Sequence, residues 1–217
     1  MSVARPGLRA VVLDIDGTLL DSADGIVAGF GHALRAVGVT PPDDATLRSD
    51  LGPPLVDLLP ALGVPAGRLA EAIAAYRTFY FREGLQQATV YDGVVEALTT
   101  LAARHPLGTA TAKRTDTARA TLEAHGLTRF FGVVNGLGED QPSKAETLAE
   151  TLELMGGVDP ADAVMIGDRR SDVAAGRAVG TRTVGVLWGY GSRAELESAG
   201  ADVLLEHPRQ LADLLLS

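Results

Sequence analysis

Apolar positions fall in two rhythms along this chain. Ala10–Leu13 is a short unbroken apolar run rich in Val, and 163–166 and 183–187 have the same form. Continuous runs of this length bounded by Gly and Asp predict strands buried on both faces, as in a parallel sheet. Further strands are predicted over 106–111, 130–134 and 203–205. Between them the apolar spacing lengthens to three and four. This predicts helices over 93–104, 115–125, 143–155, 171–179, 193–199 and 208–216, with Asp92 capping the first and Gly126, Gly156-Gly157 and Gly180 as stops. Strands alternating with helices predict an α/β fold with a doubly wound parallel sheet.

Residues 23–83 break this alternation. Ile26, Val27, Phe30, Leu34 and Val37 have helical spacing, with Ser22 as the predicted N-cap and Gly38–Pro42 as the stop. Asp43-Asp44 opens a short helix to Ser49, residues 55–62 read as helical despite Pro60, and 65–82 read as a longer helix. Leu51-Gly52-Pro53-Pro54-Leu55 reads as a fixed loop. The expected organisation is an α/β core, residues 1–22 and 84–217, interrupted by a small all-helical domain, residues 23–83.

Candidate chemistry lies at the carboxyl ends of the predicted strands, where open α/β sheets bind ligands. The first strand runs into Asp14 and Asp16, whose i, i+2 spacing points both side chains the same way, and Gly17 allows the chain to turn. Two carboxylates so close repel, so they form either a metal site or an acid–base pair that shares a proton. Val164–Asp172 repeats the form: a strand, a glycine, then Asp168 and Asp172. The 106–111 strand ends on hydroxyls, Thr111 or, one strand repeat earlier, Thr109.

Composition narrows the reading. A net charge of −9 over 217 residues and a pI of about 4.9 argue against nucleic acid or an anionic membrane as partner. There is no Cys, and no apolar segment reaches transmembrane length, so a cytoplasmic protein is expected. Of 19 basic residues only Lys113 and Lys144 are lysines. Where Arg has replaced Lys so widely, the survivors mark places that need a compact, rotatable cation rather than a planar fork. Lys144 also stands at a predicted helix start, where a cation opposes the helix dipole unless carboxylates draw it inward.

The string Asp14-x-Asp16-Gly17-Thr18-Leu19-x-Asp21-Ser22, then Thr111, Lys144 and Gly167-Asp168-x-x-x-Asp172, in that order over nearly the whole chain, resembles the four motifs of the haloacid dehalogenase superfamily. The helical insertion is similar to that family's cap. The resemblance implies a Mg2+-dependent phosphomonoesterase acting through an aspartyl-phosphate. In it Asp14 is nucleophile, Asp16 acid and base, and Thr111, Lys144 and the N–H groups of Gly17 and Ala112 bind the phosphoryl group. Asp14, the Asp16 carbonyl and Asp168 would hold Mg2+, and Asp172 would orient Lys144 or a bound water. Arg48, Gly52 and Lys113 are the candidates for the leaving-group side. Leu51–Leu55, Thr111-Ala112-Lys113 and Trp188-Gly189-Tyr190-Gly191-Ser192 resemble the branch of phosphoglycolate phosphatases and 5′-nucleotidase-like phosphatases. Gln141 departs from the Arg that nucleotidase-like relatives often carry. The expected partner is a small phosphorylated metabolite, phosphoglycolate-like or a nucleoside 5′-monophosphate, and the chain is taken as a monomer or homodimer. Asp16 and Asp168 speak against a dehalogenase, and the lysine-free insertion excludes a Schiff-base phosphonatase. A sugar phosphomutase and a non-enzymatic binding protein are the alternatives.

Overall fold

A computed structural model describes residues 7–138 and 143–216. The chain divides into two compact units, Met1–Leu20 with Val90–Ser217, and Asp21–Thr89. The strands are β1 (Ala10–Leu13), β2 (Leu20–Asp21), β3 (Thr89–Val90), β4 (Leu107–Thr109), β5 (Thr111–Arg114), β6 (Gly136–Leu137), β7 (Ala163–Gly167), β8 (Arg182–Val186) and β9 (Val203–Leu205).

The first unit is built on a five-stranded parallel sheet in the order β4-β1-β7-β8-β9. Every residue of β1 and β7 is buried, which is why these strands read as continuous apolar runs. Helices flank the sheet: α5 (Val94–Ala102), α6 (Thr115–Ala124), α7 (Lys144–Leu154), α8 (Arg170–Val179), α9 (Arg193–Ala199) and α10 (Gln210–Leu216). Ala10, Val12, Ala110, Leu148, Leu152, Ala163 and Met165 form one core between sheet and helices.

Three local expectations are corrected. Residues 130–134 form no strand: Gly132 N–H donates to Leu107 O and Thr109 N–H to Val133 O, a single bridge beside β4, and the strand that follows is the two-residue β6. Asp92 does not cap α5, because Gly93 in the left-handed region takes that position and Asp92 pairs with Arg209 at 3.2 Å. Ser22 stands before α1 (Ala23–Ala36), but its side chain caps nothing there, and Asp21 Oδ1 takes the Ala23 N–H instead.

The second unit holds α1, α2 (Asp44–Ser49), α3 (Leu55–Ala61) and α4 (Leu69–Arg82). Helices α1 and α4 pack closely because Gly29 lies against Tyr76: a Cβ there would stand 2.8 Å from the ring. Phe30, Tyr76 and Tyr80 stack behind it, with ring centroids 5.2 and 5.7 Å apart. This unit is wider than the 23–83 read from the sequence. Residues 84–87 form a 3-10 turn whose Leu85 is buried, and Gly84 O lies 2.3 Å from where a Cβ on Gly25 would stand. Among the described residues no helix is long and apolar enough to cross a membrane.

Candidate active site at the strand ends

Strand register brings the motifs together. Leu13 pairs with Thr109 on one side and Ile166 on the other, so Asp14, Thr111 and Asp168 emerge at the same edge of the sheet. Asp14 N–H donates to Ile166 O at 2.9 Å, and Ala110 N–H to Leu13 O at 3.1 Å, which extends the ladder to the threshold of the site. The chain then turns at Gly17, whose φ is +74°. A Cβ there would stand 2.2 Å from Asp168 Oδ2, so both conformation and space require glycine.

Asp14, Asp168 and Asp172 are buried, and their carboxylate oxygens lie within 4.8 Å of one another. Lys144 enters this cluster from the first residue of α7, with Nζ 2.8 Å from Asp14 Oδ2 and 2.6 Å from Asp172 Oδ1. Its unfavourable position on the helix dipole is offset by these pairs and by a capping box in which Ser143 Oγ accepts from Glu146 N–H and Glu146 Oε2 accepts from Ser143 N–H. Burial opposes the lysine's charge, but Asp14 and Asp172 outweigh it and hold the ammonium above the usual lysine range. Burial also pushes Asp172 up to about 6, against the pull of Lys144. Asp168 is raised well above the usual carboxylate range by burial and by Asp172 and Asp14.

The loop after β8 cradles Asp168. Tyr190 N–H donates to its Oδ2 at 2.7 Å, and Thr18 Oγ1 lies 3.4 Å from its Oδ1. Trp188 Nε1–H donates to Thr18 O at 2.9 Å and ties this loop to the turn after β1. Gly189 is required there, since a Cβ would stand 2.2 Å from Gly17 O. Sequence reasoning assigned this loop no role. Its signal was Gly-x-Gly between a strand and a helix, which does not say which aspartate the loop meets.

The two threonines separate clearly. Thr109 Oγ1 donates to Asn135 O and accepts from Asn135 N–H, both at 2.9 Å, so its hydroxyl is used inside the core. Among the described residues Thr111 Oγ1 accepts one long bond, from Lys113 N–H at 3.4 Å, and Thr111 is the hydroxyl at the strand end. Ala112 lies in β5, three residues ahead of α6, so no helix N-terminus supports its N–H as an anion donor. Gly17 N–H donates to Leu20 O at 2.8 Å, which corrects its expected place among the phosphate donors: that N–H holds the turn.

Asp16 and Asp14 do not share a proton between them, because each carboxylate has its own lysine. Lys113 Nζ lies 2.7 Å from Asp16 Oδ2. Asp16 contributes no carboxylate to the buried cluster, and its part in a metal site was expected through the backbone carbonyl. Asp172, expected behind the metal ligands, stands within the cluster itself. In the helical unit Arg48 pairs with Asp24 and lines a cavity of about 350 Å3 together with Arg35, Asp44 and Gln87. Gly52 lies in the non-helical stretch before α3, with φ +130°. Gln141 lies outside the described residues.

The cluster suits a hard divalent cation. Three buried carboxylates against one ammonium leave two negative charges, all the donors are oxygens, and such oxygen sets hold Mg2+.

A parallel sheet carrying aspartates at the ends of two neighbouring strands, with a buried lysine between them, defines a phosphoryl-handling hydrolase. The chain belongs to the haloacid dehalogenase-like hydrolase family, whose model matches residues 11–186, and within it the chain is a phosphatase. It is 38% identical to tyrosine-protein kinase PtkA of Mycobacterium tuberculosis over 95% of this chain and 71% of that one. It is 33% identical to pyrophosphatase PpaX of Bacillus velezensis over 96% of this chain and 95% of that one. A haloacid dehalogenase-like hydrolase of Streptococcus pneumoniae superposes with a TM-score of 0.89 at 29% identity, covering 96% of this chain and 99% of that structure.

Proposed function

We propose that this phosphatase is a Mg2+-dependent phosphomonoesterase that works through an aspartyl-phosphate on Asp14 and acts in the cytoplasm on a small phosphorylated metabolite. The observation that carries the reading is the buried cluster of Asp14, Asp168 and Asp172 with Lys144 between two of its members. Asp14, Asp168 and the Asp16 carbonyl would hold the cation, which when bound offsets the repulsion between a carboxylate nucleophile and a phosphate dianion.

Asp14 attacks phosphorus in line. The bond from phosphorus to the leaving oxygen breaks, its electron pair goes to that oxygen, and Asp16 delivers the proton. In the second half Asp16 takes a proton from water, the water oxygen bonds to phosphorus, and the bond to Asp14 breaks with its electron pair returning to the carboxylate. Thr111, Ala112 N–H and Lys144 stabilise the transferring oxygens. Asp172 holds Lys144 for this work, as its 2.6 Å bond supports. Arg48 and Gly52 are assigned to recognition of the leaving group.

Phosphate release from p-nitrophenyl phosphate in Mg2+ tests the reading. Asp14→Asn should fold normally and release phosphate at less than about a hundredth of the wild-type rate, as expected on loss of a covalent nucleophile. Activity retained above that level overturns the assignment. Incubation with ATP and a tyrosine peptide separates hydrolysis from transfer, and phosphate without phosphotyrosine is the expected product. A sugar bisphosphate that yields isomerised monophosphate instead of free phosphate would mark a mutase.

A further inference from the structure

The chain's two lysines both end on the two aspartates that follow β1: Lys144 on Asp14, and Lys113 on Asp16. The first pair belongs to the phosphoryl site. The second is placed differently. Lys113 leaves β5 two residues after Thr111, its side chain is 9% exposed and that of Asp16 is 20% exposed. Asp16 must reach the leaving oxygen to protonate it, at a separation of about 2.6–3.2 Å. With Nζ 2.7 Å from Asp16 Oδ2, the ammonium stands beside the position of that oxygen, on the side away from the transferring phosphoryl.

Resting on the phosphatase reading, we propose that Lys113 is a specificity residue that recognises a second anionic group one or two bonds from the scissile oxygen. The favoured substrate class is then a small ester or anhydride whose leaving group carries its own charge, such as phosphoglycolate or pyrophosphate, over a neutral alkyl phosphate or a nucleoside monophosphate. The chemistry of lysine suits this. A point charge with three rotatable donors on a flexible stem can keep one bond to Asp16 and give another to an arriving carboxylate or phosphate. An Arg fork engaged with one carboxylate would turn rigidly with it, and arginine fills 17 of the chain's 19 basic positions but not this one.

Phosphoglycolate and ethyl phosphate make a matched pair: both leave as primary alkoxides, and only the first carries a carboxylate. Anything Lys113 does by positioning Asp16 affects both alike and cancels in the ratio of their kcat/KM values. In wild type the ratio should favour phosphoglycolate. In Lys113→Met it should fall at least about tenfold, the scale of one charge-assisted hydrogen bond, and chiefly through KM. Lys113→Arg keeps the charge and should recover part of the ratio. A melting curve taken alongside shows whether each variant is folded. If Lys113→Met slows both substrates by the same factor, Lys113 only positions Asp16 and the proposal is overturned. If it leaves both unchanged, the proposal fails as well. Failure of the phosphatase reading looks different: wild type would then release phosphate from neither substrate nor from p-nitrophenyl phosphate.

Discussion

Replacing Lys144 with Met exposes how the site is held together. The side chain is nearly the same length and loses only the ammonium, which sits 2.8 Å from Asp14 and 2.6 Å from Asp172. Its removal leaves three buried carboxylates with no cation among them. Breaking a buried pair by deleting one partner costs about 3–5 kcal/mol, because the remaining charge has neither water nor a counter-ion. For a chain of this size each kcal/mol lowers the melting temperature by about 2–4 °C, so Lys144→Met in EDTA should melt roughly 6–20 °C below wild type. Mg2+ binds the same carboxylates and should return part of that loss, whereas wild type, with Lys144 already in place, should gain less. Differential scanning calorimetry in EDTA and in excess Mg2+ reads both effects. A variant that melts within 2 °C of wild type in EDTA would show that the pairs contribute no net stability, and the argument for Lys144 as the internal counter-ion would fall. Lys144→Arg retains the charge but must fit a planar fork between the two carboxylates. It should melt closer to wild type than the Met variant and still lose most of its phosphate release.

Three further outcomes follow from the geometry. Asp168→Ala should shift the Mg2+ dependence of phosphate release to higher concentration, with partial recovery at saturation; coincident titration curves for mutant and wild type would remove Asp168 from the metal site. Thr109→Val should destabilise the core by about 1–3 kcal/mol through the stranded Asn135 backbone groups, while Thr111→Val should lower activity with little change in melting temperature, and the reverse pattern would restore Thr109 as the phosphate-binding hydroxyl. Asp168 and Asp172 have folded pKa values raised above their unfolded ones, Asp172 to about 6, so the cost of burying them is full above that pH and vanishes below the unfolded value near 3.8. Mg2+ should therefore raise the melting temperature more at pH 8 than at pH 5, and equal shifts at the two pH values would contradict this account.

What the sequence made legible follows from the range over which each feature is decided. Strands β1, β7, β8 and β9 stand where expected, because burial on both faces writes itself locally as an unbroken apolar run. The run over 130–134 is just as apolar, but a strand also needs a partner with a free ladder, and β4 offers it a single bridge. The two-residue strands β2 and β3 are too short to carry any period. The capping box of α7 is a local pattern, whereas the loss of the Asp92 cap depends on the left-handed Gly93 and on Arg209 from the far end of the chain.

The site divides in the same way. Residue types and their place at strand ends pointed to Asp14, Asp168, Thr111 and Lys144, since each follows a strand or opens a helix. Which atoms meet depends on register. A shift of one residue between β1 and β7 would turn every side chain to the other face and separate Asp14 from Asp168. The observed pairing of Leu13 with Ile166, and of Gly167 with Gly185 in β8, sets Asp168 level with Asp14 and delivers the Trp188–Tyr190 loop onto it. The Lys113–Asp16 pair is decided the same way, by β4 lying beside β1 so that the strand carrying Lys113 rises next to the turn after Asp14. The chemistry of this site is therefore composed locally, while the pairing of each carboxylate with its own cation is a property of the sheet.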